Sequence, residues 1–184
     1  MEGYSVELGF SPKAEAKLRK IGVAITERGL HSEFVSSENK PHITLSAFDK
    51  KVDVEQLRSI TAGFATCLSP FDVTFHSVAQ FITSQNVIYL APLMTADLFN
   101  LYRQFYDRLT EAGLEPGFYY RPAAWTPHTT VTMKGPTGEI AETMAIVRKA
   151  PVFNIPMRIS SINISRYSPF NLIDHFPLST VQEK

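Results

Sequence analysis

Two short segments of this chain carry the residues best suited to chemistry: Pro41-His42-Ile43-Thr44-Leu45 and Pro127-His128-Thr129-Thr130-Val131. Each sets a histidine two positions before a threonine. In an extended strand, side chains i and i+2 project from the same face, roughly 7 Å apart. His42, Thr44 and Ser46 are therefore expected on one face of a strand, with Ile43, Leu45 and Ala47 on the other. His128, Thr130, Thr132 and Lys134 repeat the pattern, opposed by Thr129, Val131 and Met133. Imidazole, with an unperturbed pKa of about 6.5, both accepts and donates a proton near neutrality. In-line displacement at phosphorus needs a base on the attacking oxygen and an acid on the leaving oxygen. Two histidines can fill those roles, and the hydroxyls of Thr44 and Thr130 can donate to the non-bridging oxygens where charge develops. Two histidines without a matched carboxylate make a poor metal ligand set, so no metal and no cofactor is expected.

The elements that must position these residues form a repeating series. Tyr4 to Phe10 alternates as a strand, and Ser11-Pro12 opens a helix carrying Leu18, Ile21 and Ile25 on one stripe, ending near Gly29. The first motif strand runs to Phe48, Asp53 caps a second helix, and Phe71 to Ile82 is a long strand. The order then recurs: a strand at 86–90, a helix opening at Thr95 and ended by Gly113, the second motif strand through Lys134, a helix over 137–149, and closing strands at 156–167 and 172–178. Leu98, Leu101, Tyr102, Phe105 and Leu109 form the clearest amphipathic stripe. Ser11 maps onto Thr95 and His42 onto His128, so the offset stays near 85 residues.

The paired Pro-His-x-Thr strands, each followed by a hydrophobic residue and each preceded by a long helix, resemble the signature of the two-histidine (2H) phosphoesterase superfamily. This group includes bacterial 2′-5′ RNA ligase-like proteins and 2′,3′-cyclic nucleotide phosphodiesterases. The resemblance spans nearly the whole chain. It implies that His42 and His128 are the acid/base pair, that Thr44 and Thr130 are phosphate ligands, and that the step needs no metal. Some ligase-like members carry an arginine soon after the second motif; here the residues are Thr132-Met133-Lys134.

Other residues are candidates of a second kind. The segment Phe118 to Trp125 holds four aromatic rings and Arg121. Two readings stand: Tyr120 and Arg121 contact substrate by stacking and charge, or the rings pack against their own lobe. Lys134 is a further candidate substrate contact. His31, His76 and His175 read as structural or exposed. Cys67, the single cysteine, reads as part of a buried helix end and excludes an internal disulfide.

Lysine plus arginine equals aspartate plus glutamate at 18 each, so the chain has no formal net charge. Binding along a long nucleic acid draws on a basic excess, so neutrality points to a small or terminal phosphodiester, a nucleotide or an RNA end. No signal segment or membrane span is evident, and a cytoplasmic monomer is expected. The expected fold is α+β and bilobal: one 2H domain over 1–184, built from repeats at about 1–84 and 85–184. Each repeat would form an antiparallel sheet flanked by helices on its outer face. A pseudo-twofold axis would bring the His-x-Thr strands together along a central cleft. The expected activity is opening of 2′,3′-cyclic phosphates or related 2′-linked phosphodiesters, with reversible 2′-5′ ligation. The rival is a non-catalytic nucleotide- or RNA-end-binding module of the same fold.

Overall fold

The computed structural model describes residues 3–36, 40–49, 52–133, 135–167 and 169–179. Lys134 lies outside the described residues. The chain folds as strands β1 (Gly3–Phe10), β2 (His42–Phe48), β3 (Phe71–Phe81), β4 (Val87–Pro92), β5 (Thr129–Thr132), β6 (Pro156–Tyr167) and β7 (Asn171–Pro177). Between them lie helices α1 (Pro12–Thr26), α2 (Glu33–Ser36), α3 (Val54–Ala65), α4 (Ala96–Glu111) and α5 (Ile140–Val147). This is an α+β fold with antiparallel pairing throughout the ladders of β1 to β7.

Helix starts follow from local chemistry. The hydroxyls of Ser11 and Thr95 accept from the backbone N–H three residues on, at Ala14 and Leu98. Asp53 accepts from Glu55 and Gln56 at the start of α3. Gly29 and Gly113, at φ 75° and 77°, take the left-handed conformation just beyond α1 and α4. Of the predicted stripe, Leu98, Tyr102, Phe105 and Leu109 are buried and Leu101 is half-buried against the core. Cys67 departs from expectation: it is exposed just past α3, its sulfur 3.4 Å from the Gly63 carbonyl and 3.9 Å from the Arg108 guanidinium. Phe64 and Ala65 fill the buried positions there, which turns Cys67 outward.

The strands form two antiparallel ladders joined through β3 into one seven-stranded path in the order β2-β1-β6-β3-β4-β5, with β7 also on β6. The cause is the length of β3 and β6, which each serve more than one neighbour along a single edge or across two. Phe71–Thr74 of β3 pairs with β6, while Phe75–Phe81 pairs with β4. Along β6, β1 takes one edge, and β3 and β7 share the other. Pairing thus crosses between the sequence repeats: β6 and β7 complete a sheet begun by β1 and β2, and β3 completes one with β4 and β5.

The apolar face of β1 and β2 (Val6, Leu8, Phe10, Ile43, Leu45) belongs to the main core. The opposite face of β1 carries Ser5, Glu7 and Gly9. Both motif strands slip register at the same place. Glu7 pairs with Thr44 and Val6 with Ser46, skipping Leu45; Tyr89 pairs with Thr130 and Ile88 with Thr132, skipping Val131. Directly paired residues share a face, so this extra residue turns Ser46 and Thr132 toward the buried side. Ser46 and Thr132 are accordingly buried rather than lined up with the motif threonines, and the Ser46 hydroxyl has no hydrogen-bond partner among the described residues.

Candidate active site

The two histidines are held in the same way. His42 Nδ1–H donates to the Lys40 carbonyl and His128 Nδ1–H to the Thr126 carbonyl, each at 2.7 Å. In both cases the acceptor lies two residues upstream, across a proline. Proline keeps the residue before it extended, so the carbonyl meets the ring. Tying up Nδ1 fixes the tautomer and leaves Nε2 as the working nitrogen. His42 begins β2 opposite Gly9. His128 stands just before β5.

The surroundings of the rings differ. His128 meets the edge of Phe81 at 4.9 Å between centroids and packs on Tyr89 at 5.3 Å. Phe81 and Tyr89 stack on each other at 4.2 Å. This desolvation lowers the His128 pKa below its ordinary value, a charge on His42 lowers it further, and the bond to Thr126 opposes both. His42 instead faces a carboxyl group: Glu7 Oε1 lies 3.6 Å from its Nε2. Glu7 is 2% exposed and accepts from the Ser5 hydroxyl at 2.7 Å and the Ser165 hydroxyl at 3.1 Å.

Thr44 and Thr130 sit across from Glu7 and Tyr89, respectively. Tyr120 is half-buried, and its hydroxyl lies beside the Thr44 side chain. Burial, helped by the negative charges of Glu7 and Asp49, pushes the Tyr120 hydroxyl up to about 12. The aromatic segment divides between its two readings. Trp125 stacks on Tyr102 at 3.9 Å and donates from Nε1 to the Thr44 carbonyl, which makes it part of the scaffold of β2. Phe118 and Tyr119 stay exposed. Arg121 is also exposed, 3.9 Å from Glu115, in a groove of about 440 Å³ lined by Phe48, Asp49 and Phe118 but by none of the four motif residues. The structure therefore gathers His42, Thr44 and Tyr120 at one corner, and sets Arg121 apart from it. His31 bonds Glu33, His175 bonds Asn163, and His76 is exposed.

Three neighbours of the motifs escaped the sequence reading: Glu7, Phe81 and Tyr89. Glu7 had a signal, an acidic residue in a strand otherwise made of apolar, aromatic and small residues. Phe81 and Tyr89 had none, since aromatic residues in strands are ordinarily core. Among the described residues no group of three His, Cys, Asp or Glu side chains could hold a metal ion. No described helix is long and apolar enough to cross a membrane.

Residues 15–169 match the family model of the 2′-5′ RNA ligase superfamily. The chain belongs to that superfamily, the two-histidine phosphoesterases. Solved structures with the same fold include TT0787 of Thermus thermophilus, at TM-score 0.68 and 14% identity, covering 97% of this chain and 100% of that one. LigT of E. coli complexed with 3′-AMP aligns at TM-score 0.62 and 14% identity, over 97% and 99%. Usb1 of Kluyveromyces marxianus aligns at 0.53 and 11%, over 96% and 98%. Compared with curated protein sequences, the chain matches none.

Proposed function

We propose that this chain is a metal-independent phosphodiesterase that opens 2′,3′-cyclic phosphates, or related 2′-linked phosphodiesters, at RNA ends or on nucleotides. The observation that carries this reading is the matched presentation of two imidazole Nε2 atoms, each fixed by an Nδ1 bond to a pre-proline carbonyl. In the forward direction His128 takes the proton of an attacking water. Its lowered pKa keeps it neutral, as a base must be. The P–O bond to one ribose oxygen breaks, His42 protonates that oxygen, and the product is a phosphomonoester. Thr44 and Thr130 donate to the non-bridging oxygens as charge builds. Where the bond broken is the one to the 3′ oxygen, a 5′-hydroxyl in place of water would give a 2′-5′ linkage by the same proton exchange. The 3′-AMP bound by LigT is a phosphomonoester of the kind such ring opening would release.

The test is a panel of nucleoside 2′,3′-cyclic phosphates incubated with the protein and excess chelator, followed by phosphorus NMR. Monoester product at undiminished rate in chelator is expected. Binding without any product would replace this reading with that of a non-catalytic module.

A further inference from the structure

A fixed acid stands where an anion is to bind. Glu7 is buried on the polar face of β1, and both its oxygens accept hydrogen bonds, Oε1 from Ser5 and Oε2 from Ser165. Accepting on both oxygens is the pattern of an ionised acid, since a protonated one must also donate. Oε1 is 3.6 Å from His42 Nε2, and Thr44 is the cross-strand neighbour of Glu7. A phosphoryl group held by His42 and Thr44 therefore rests over a negative charge that burial shields poorly. For holding a phosphate anion alone this residue is unfavourable. A site that counts charge has a use for it: a phosphodiester carries one negative charge, whereas a phosphomonoester, with a second pKa of about 6, carries nearly two at neutral pH. At the equivalent register position of the second motif stands Tyr89, which is neutral and faces His128.

We propose that Glu7 is a specificity-determining residue that makes this cleft bind singly charged phosphodiesters and repel doubly charged phosphomonoesters. The proposal rests on the reading that the two motifs hold a phosphoryl group, and adds to it. In the free protein Glu7 is the partner of His42, and an incoming diester shares that imidazole with it. The monoester made by ring opening gains a charge directly above Glu7, so the same side chain that admits the substrate expels the product. Tyr120 supplies a hydroxyl beside Thr44 and stays un-ionised, adding no second negative charge to the floor.

The experiment is calorimetric titration with two probes: 2′-deoxyadenosine 3′-phosphate and its methyl ester. Neither has a 2′-hydroxyl, so neither can be turned over through a cyclic phosphate. At pH 8 the wild-type protein is expected to bind the methyl ester about tenfold or more tightly than the monoester, the partly screened effect of one additional charge near Glu7. Glu7→Gln keeps the shape and removes the charge; it is expected to abolish that preference chiefly by tightening the monoester. Glu7→Asp is expected to retain it. Equal wild-type affinities, or an unchanged ratio in folded Glu7→Gln, would overturn charge selection while leaving the phosphate site intact. Should the glutamine variant not fold, equal wild-type affinities or loss of the preference in Glu7→Asp would still overturn the proposal. Failure of both probes to bind at millimolar concentration would overturn the phosphate-site reading together with the proposal.

Discussion

The corners around His42 and His128 share a backbone and differ in their charge. Each has a proline before the histidine, a 2.7 Å bond from Nδ1 to the carbonyl beyond it, and an extra residue just after the threonine. What faces the ring is a buried acid at one corner and a stacked aromatic pair at the other. The two corners thus share the geometry that aims Nε2 and differ in the residue across the strand. The variation suits a reaction whose two proton carriers must be in opposite states at the same moment.

Four variants would break or sharpen this comparison, the two histidine replacements with the largest effect. Replacing His42 or His128 by alanine is expected to lower kcat/KM on a 2′,3′-cyclic nucleotide by about 10²–10⁴ in each case. Both variants should keep the circular dichroism spectrum of the parent. Near-parental turnover in either would mean that the corners do not act as a pair.

Phe81→Ala removes one of the rings that dry His128. Because burial holds the His128 pKa below its ordinary value, the neutral base survives to lower pH in the parent. Readmitting water raises that pKa, so the acidic limb of the kcat/KM profile is expected to move to higher pH while the basic limb stays. A shift of the basic limb alone would reverse the proton roles given to the two histidines.

The smallest effect is on the frame. Trp125 Nε1 donates to the Thr44 carbonyl at 3.0 Å, and Ser32 donates to the Val131 carbonyl at 3.1 Å, so each motif strand has its outer edge held by a segment from the other half of the chain. Trp125→Phe keeps a ring to stack on Tyr102 and loses the donor, at an expected cost of about 1 kcal/mol in chemical denaturation. An unchanged midpoint would show that water replaces the indole there.

Much of the fold was legible in the sequence because its signals are local. Ser11-Pro12, Asp53 and Thr95 announce helix starts through their own hydrogen bonds, and β6 spans 156–167 as its composition indicates. The motif residues were legible as types at a spacing, and the structure sets each pair on one strand or at its start. What was not legible depends on partners. Alternation says which residues share a face but not which strand lies alongside, so the single sheet path and the placement of β3 and β6 could not be read. A register slip leaves no mark in one strand's sequence, which is why Ser46 and Thr132 were expected beside the motif threonines. The same limit hid Glu7: its importance comes from Thr44 across the ladder and from Ser165, 158 residues away.

That last distance has a consequence for how the protein comes to be. As the chain leaves the ribosome, His42 and Glu7 emerge early, but the serine that completes the acid's hydrogen bonds, and the strand that closes β1's second edge, arrive only with residues 156–167. Until then β1 presents an unsatisfied edge, the kind of surface that pairs with the wrong neighbour. Residues 156–167 must be made before the first motif has a floor, so a break between the two motifs would strand both halves.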